Sequence, residues 1–381
     1  MKQTKKWGVV VVLFVLTAFL GVAVGNAAEK KLPSIFSVST FGVGSSGYIT
    51  ISAAAPILEK TLNTKMRLIP SDVRLSQFKM LKAGEAEWVH THLGSAYRPL
   101  FGLEEFAVKE WGPQNLAMVY MGGNLILSVF VREKSSVQSI KDLKGKKCAI
   151  YPGSEIFWNS MLAYANLSLD DVVRIPAGGY TAAGKLLLEN RVDAAYGATN
   201  STMFEEIRNS PGGIRCIPMP FADKAAWRRV TKACPAHLPA INPQQYGIKE
   251  SWGKELASYP NAEYVYLHQD EKIAYLLTKA WFEGFEEYKT VGGDLKYYSP
   301  TTALDCLNQP LPYHPGSVKF FKEKKVWTPE HEKWQKEQVN NQEARTKVWG
   351  EALKEATVKG MKIARDSKEW LDLWQSYLKK L

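Results

Sequence analysis

Cysteine is scarce in this chain, with four in 381 residues at Cys148, Cys216, Cys234 and Cys306. So few, so scattered, exclude a disulfide-built scaffold and a zinc ribbon. Long apolar runs are just as rare. Beyond the N-terminus none approaches the roughly 20 residues that a spanning helix needs, which excludes a polytopic membrane protein. No compositionally biased tract interrupts the sequence, and 12 Trp with 17 Tyr argue against disorder. No G-x-S-x-G occurs, and the one close Cys–His spacing, Cys234-Pro235-Ala236-His237, reads as incidental. Without an acid–base–nucleophile set, an enzyme is not expected, and no cofactor is called for.

What is present is an ordinary globular composition, 45% hydrophobic and 23% charged. Its length suits two core-bearing domains of roughly 100–200 residues each. The chain opens with Lys2, Lys5 and Lys6, then the apolar stretch Gly8 to Leu20, then small residues through Ala27 and Ala28. That order predicts a cleavable signal peptide over residues 1–28 and a periplasmic, non-embedded mature protein. The competing reading is an uncleaved anchor helix. Removal of the three leader lysines takes the formal charge from +11 to +8 (11 − 3). Such a surplus suits an anionic ligand or surface. Nucleic acid is a poor partner for an exported protein, and much of the excess lies after Ser317, where Lys and Glu alternate along a solvated helical face.

Hydrophobic periodicity gives a strand at Ile35 to Thr40, a helix from Ile49 to Leu62, a strand at Met66 to Ile69, a helix from Arg74 to Ala83 and a strand at Trp88 to His92. This βαβαβ opening predicts a parallel sheet with helices on its faces. Two further apolar strands, Asn115 to Gly123 and Leu125 to Val131, precede a second βαβαβ set over Lys134 to Met219. A proline-rich loop, a strand at Tyr264 to Leu267 and a helix from Glu271 to Tyr288 follow. From Pro329 onward the chain is charged and helical, and Trp370, Trp374, Tyr377 and Leu381 form an apolar stripe that must pack on something. Two α/β lobes, with sequence left over to return to the first, predict a cleft-forming binding protein that hinges shut.

Ser139-Ile140-Lys141-Asp142-Leu143-Lys144-Gly145-Lys146-Lys147, the following Pro152-Gly153-Ser154, Leu187 to Ala195 and His314-Pro315-Gly316 occur in a telling order. On them the chain resembles the TAXI family of solute-binding subunits of TRAP transporters, from about Phe36 to Val326. The resemblance implies an α/β, two-lobed periplasmic-binding-protein fold (Venus flytrap, type II), here with a C-terminal helical extension. It implies lobe I over 29–127, lobe II over 128–236, a return to lobe I and hinge over 237–328, and the extension over 329–381. It also implies capture of a small organic anion, a carboxylate or amino acid, and delivery to TRAP membrane subunits. The alternative is an exported sensing module that signals through a membrane partner. The first loop, Gly44 to Ile49, and the Ser71–Gln77 segment depart from the family's usual residues, and Glu155 stands where the family has Gly.

Candidate ligand contacts follow from where residues fall on strand ends. Gly42-x-Gly44-x-x-Gly47 matches a dinucleotide fingerprint, but in an exported protein its amides, with Ser45, Ser46, Gly47 and Tyr48, better suit a carboxylate at a helix N-terminus. Arg74 offers two parallel hydrogen bonds to a carboxylate, or forms a surface ion pair with Asp72. His90-Thr91-His92 is expected to give polar lining through Thr91 and His92 rather than a metal site. Gly153 and Ser154 mirror the first loop on the other lobe. Tyr180, Thr199 and Asn200 lie on the same rim. Cys148 and Cys216 are expected in core strands, whereas Cys234 and Cys306 fall in loops that an oxidising space would allow to bridge.

Overall fold

A computed structural model describes residues 32–292 and 294–381. The signal peptide expected over 1–28 lies outside the described residues. In chain order the first set comprises β1 (Ile35–Phe41), α1 (Ser46–Leu62), β2 (Lys65–Ser71), α2 (Arg74–Lys82), β3 (Trp88–His92) and α3 (Leu93–Phe101). Next come β4 (Leu116–Val131), β5 (Lys147–Ile150), α4 (Glu155–Tyr164), β6 (Val173–Pro176), α5 (Tyr180–Leu188), β7 (Ala194–Ala198), α6 (Thr202–Asn209) and β8 (Arg215–Cys216). The return carries α7 (Lys224–Ala233), β9 (Leu238–Ile241), β10 (Glu255–Tyr266), α8 (Glu271–Glu283), α9 (Phe285–Tyr288), α10 (Pro300–Ala303) and α11 (Pro315–Glu323). The extension is α12 (Pro329–Val358) and α13 (Lys368–Leu378).

Strand order is β2-β1-β3-β10-β4-β7-β5-β6, with β8 against β4 and β9 against β10. Within each outer set the strands are parallel, while β10 runs antiparallel to both β3 and β4, and β4 antiparallel to β7. The two βαβαβ sets are therefore two lobes joined through the β4–β10 ribbon, a Venus-flytrap architecture. At about 3.3 Å per residue, the 16 residues of β4 run about 50 Å, enough to serve both lobes. The sequence predicts two separate strands there; Gly122 and Gly123 leave the strand unbroken and instead admit the rings of Tyr298 and Tyr297. Likewise β10 begins nine residues before the predicted Tyr264, because Pro260 sits at a register shift where a missing N–H costs no ladder bond.

Each lobe has its own core. Val38, Ile51, Leu58 and Trp88 are fully buried in the first, and Phe130, Leu187, Ala195, Phe204 and Ile207 fill the second. The bridge between Cys234 and Cys306 that the sequence left open does not form. Both thiols are free and fully buried, and burial pushes each up to about 12. Trp370, Trp374 and Tyr377 are buried as the stripe predicts, but Leu381 is exposed beyond the end of α13. Among the described residues no helix is long and apolar enough to cross a membrane.

Candidate functional site

The carboxyl ends of β1, β2, β3, β5 and β7 converge on one cavity between the lobes, with about 460 Å³ of empty space. Crevices at strand ends are where open α/β sheets collect ligands. After β1 the chain turns through Gly42 to Ser45 into α1. Ser45 caps that helix, its Oγ accepting from Tyr48 N at 3.2 Å and donating to Gly42 O at 2.7 Å. Ser46 and Gly47, the first helical residues, border the cavity. First-turn amides have no intrahelical carbonyl to meet, and the helix dipole makes that end favourable for negative charge. Gly47 is required by packing, since a Cβ there would lie 2.3 Å from the Phe41 ring.

Arg74 opens α2 just beyond β2 and faces the same space. Its guanidinium is 5% exposed, lies 4.2 Å from the centre of the Phe41 ring, and makes no hydrogen bond among the described residues. Burial holds its pKa below the usual arginine value, with Arg98 adding to the shift and Tyr151, Tyr259 and Asp72 opposing it. The ion pair with Asp72 open to it from the sequence does not form. Instead, Asp72 borders the cavity and lies against Gly42 and Gly179. A second unpaired polar atom, Asn261 Oδ1, comes from the register shift in β10.

The walls are aromatic. Arg74, Phe41, His92, Tyr259 and His237 form a continuous stack, with ring centres 5.3, 4.0 and 5.3 Å apart in turn. Tyr151, Tyr180 and Tyr196 close the lobe II side. The lobes touch around this space, where Thr202 Oγ1 donates to Gly44 O.

His92 Nδ1 accepts from Ser95 N at 3.0 Å, capping α3. Burial, then Arg74 and Arg98, keep it neutral well below the ordinary histidine range. Burial likewise lowers His237 to about 3. In the unfolded chain both protonate near pH 6.5, so the folded state binds fewer protons in acid. Stability is therefore full above that pH and falls as pH drops toward 3, by at most about 1.4 kcal/mol per unit per histidine. His237→Phe is expected to flatten the acid limb of melting temperature against pH between 6 and 4. An unchanged limb would show that this imidazole does not control it.

Of the expected contacts, the cavity brings together Ser45, Ser46, Gly47, Arg74, His92 and Tyr180. Six stand outside it. Tyr48, half-buried in the first turn of α1, contributes its backbone N–H to the Ser45 cap and does not border the cavity. Thr91 lies on the opposite face of β3 from His92, as strand alternation requires. In the second loop, Ser154 Oγ donates to Tyr151 O and accepts from Tyr151 N, while Gly153 N donates to Glu155 Oε2 at 2.8 Å. This loop's donors are consumed internally, and Gly153 packs against Arg98. Thr199 Oγ1 lies 3.4 Å from Asn242 Oδ1. Asn200 Nδ2 donates to buried Asp294 at 2.6 Å, whose carboxyl is pushed up to about 6, chiefly by burial.

Residues 38–324 match the model of the NMT1-like family. The chain belongs to that family. None of the curated proteins compared with it matches. Among solved structures the chain is similar to an ancestral arginine-binding protein bound to arginine, at 15% identity and TM-score 0.44 over 68% of this chain and 97% of that one. It is similar also to the periplasmic aliphatic sulphonate binding protein SsuA from Escherichia coli, at 14% and 0.43 over 84% and 94%. A third is the BvgS periplasmic VFT2 domain of Bordetella pertussis, at 11% and 0.43 over 70% and 93%.

Proposed function

We propose that this NMT1-like protein is an exported solute-binding protein that holds a small carboxylate, amino acids included, between its lobes. The observation that carries the reading is Arg74, a buried guanidinium beside a helix N-terminus, whose Nη1 has no hydrogen-bond partner among the described residues. A buried unpaired charge is costly, and a carboxylate set between it and the α1 amides would satisfy both at once. Asp72 and Asn261 Oδ1 accept hydrogen bonds from an amino or hydroxyl group on the same solute. Tyr180, His92, Ser45, Ser46 and Gly47 shape the remaining wall.

Delivery to a TRAP-type membrane transporter rests on the likeness of the Ser139–Lys147 and Pro152–Ser154 segments to TAXI subunits. A thermal-shift screen of amino acids, keto acids and aromatic carboxylates tests the binding reading, with uncharged amides of the same acids as controls. Stabilisation by at least one carboxylate and by none of its amides is expected. Uniform silence across the acids, or equal shifts from the amides, would defeat it.

A further inference from the structure

We propose that a second cavity, behind the β4–β10 ribbon, binds a small organic ammonium ion with an apolar body. Side chains alternate along a strand, and here the alternation gives one ribbon two lined faces. Leu125, Leu127, Tyr259 and Asn261 border the inter-lobe cavity. Asn124, Ile126 and Pro260 border the other, which is larger, with about 960 Å³ of empty space. Its remaining wall comes from Met121 to Gly123 of β4, β9 and the loop after it, Tyr297, and the stretch from Thr302 of α10 to Gln309.

The chemistry of this wall is the reverse of the first site. Among the described residues no Lys, Arg or His borders it; one ammonium, Lys296 Nζ, already lies 5.0 Å from the centre of the Tyr297 ring, and Asp305 stands at the rim. Deeper in, Gln309 is 7% exposed, and its Oε1 has no hydrogen-bond partner among the described residues. Tyr246 and Tyr297 meet edge to face at 5.4 Å and both border the space. An unmet acceptor calls for an N–H or O–H donor, a carboxylate for positive charge, and aromatic rings for a cation beside an apolar group. Leu238, Ala240 and Ile126 accommodate that apolar group. An anion would meet Asp305 and leave Gln309 unsatisfied.

Benzylammonium chloride, benzyl alcohol and sodium benzoate, titrated calorimetrically into the full-length chain, test the assignment. Saturable one-to-one binding of benzylammonium is expected, at least about tenfold tighter than benzyl alcohol, since hydrogen bonds to a charged group are the stronger ones. Asp305→Asn, at an exposed position, should weaken it about tenfold, and Ala240→Phe, which crowds the apolar wall with a ring, should all but abolish it. Arg74→Leu should leave it unchanged, because the assignment is independent of the carboxylate reading. Equal affinity for benzyl alcohol, no saturable binding, or binding that survives Ala240→Phe but is lost in Asp72→Asn would overturn it. The last result would put the ammonium in the inter-lobe cavity.

Discussion

Arg74→Leu is expected to abolish the solute-dependent rise in melting temperature while leaving the melting temperature of the unliganded protein nearly unchanged. The two halves of this expectation have different origins. At a hundredfold excess of solute over its dissociation constant, binding stabilises by about 2.7 kcal/mol, all of which disappears if the carboxylate loses its anchor. The unliganded protein, by contrast, keeps a desolvated guanidinium without a hydrogen bond. Replacing a buried charge that has no ion pair within reach with an apolar side chain of similar reach is often neutral or stabilising. Only the stacking on Phe41 is lost, about 0.5–2 kcal/mol. Arg74→Lys separates charge from geometry, because lysine retains the charge but cannot make two parallel bonds to one carboxylate. Differential scanning fluorimetry with and without the solute found by the screen reads both halves. A fall in the unliganded melting temperature as large as the lost shift would make Arg74 a structural residue.

The first half of this site was legible in the sequence because a single local signal carried it. A strand followed by Gly42 to Gly47 and a helix can only place amides at a strand end, and Arg74 opens the next helix in the same register. Pro152-Gly153-Ser154 gave a similar signal with a different outcome. Glu155, where the resembled family has glycine, supplies a carboxylate within reach of the Gly153 amide, and the Ser154 hydroxyl turns back on Tyr151. Whether a turn's donors face a cleft or a neighbouring side chain depends on a residue whose part only appears in three dimensions. Tyr259 and Asn261 were illegible for another reason. They lie on either side of Pro260, which reads locally as a strand breaker, and only pairing with β3, with β9 and, across a register shift, with β4 makes that stretch a strand. His92 was expected as polar lining, yet its ring is stacked between Phe41 and Tyr259 and serves as much to order the aromatic wall.

Trp374→Ala is expected to cost about 3–5 kcal/mol, the range for deleting a buried tryptophan, in a single cooperative transition of the whole described fold. The extension is tied to lobe I by more than an apolar stripe. Trp374 Nε1 donates to Gly102 O at 2.9 Å and Trp370 Nε1 to Ala107 O at 2.8 Å. The two rings meet Trp349 of α12 edge to face at 4.7 and 5.1 Å. Trp349 in turn covers Gly112, where a Cβ would lie 2.4 Å from the indole. Further along α12, Gln342 Nε2 donates to Leu116 O at the start of β4, the strand that continues into the β4–β10 ribbon. Truncating Trp374 therefore opens a cavity and strands carbonyls at the end of α3 as well. Trp374→Phe keeps most of the volume and loses the donor, so it should cost about 1–3 kcal/mol. Leu381→Ser, at an exposed end, should cost nothing measurable. Urea denaturation followed by tryptophan fluorescence and by far-ultraviolet dichroism separates the possibilities. Coincident transitions at a lower midpoint would make the extension part of lobe I, whereas an early phase confined to fluorescence would make it a detachable cover.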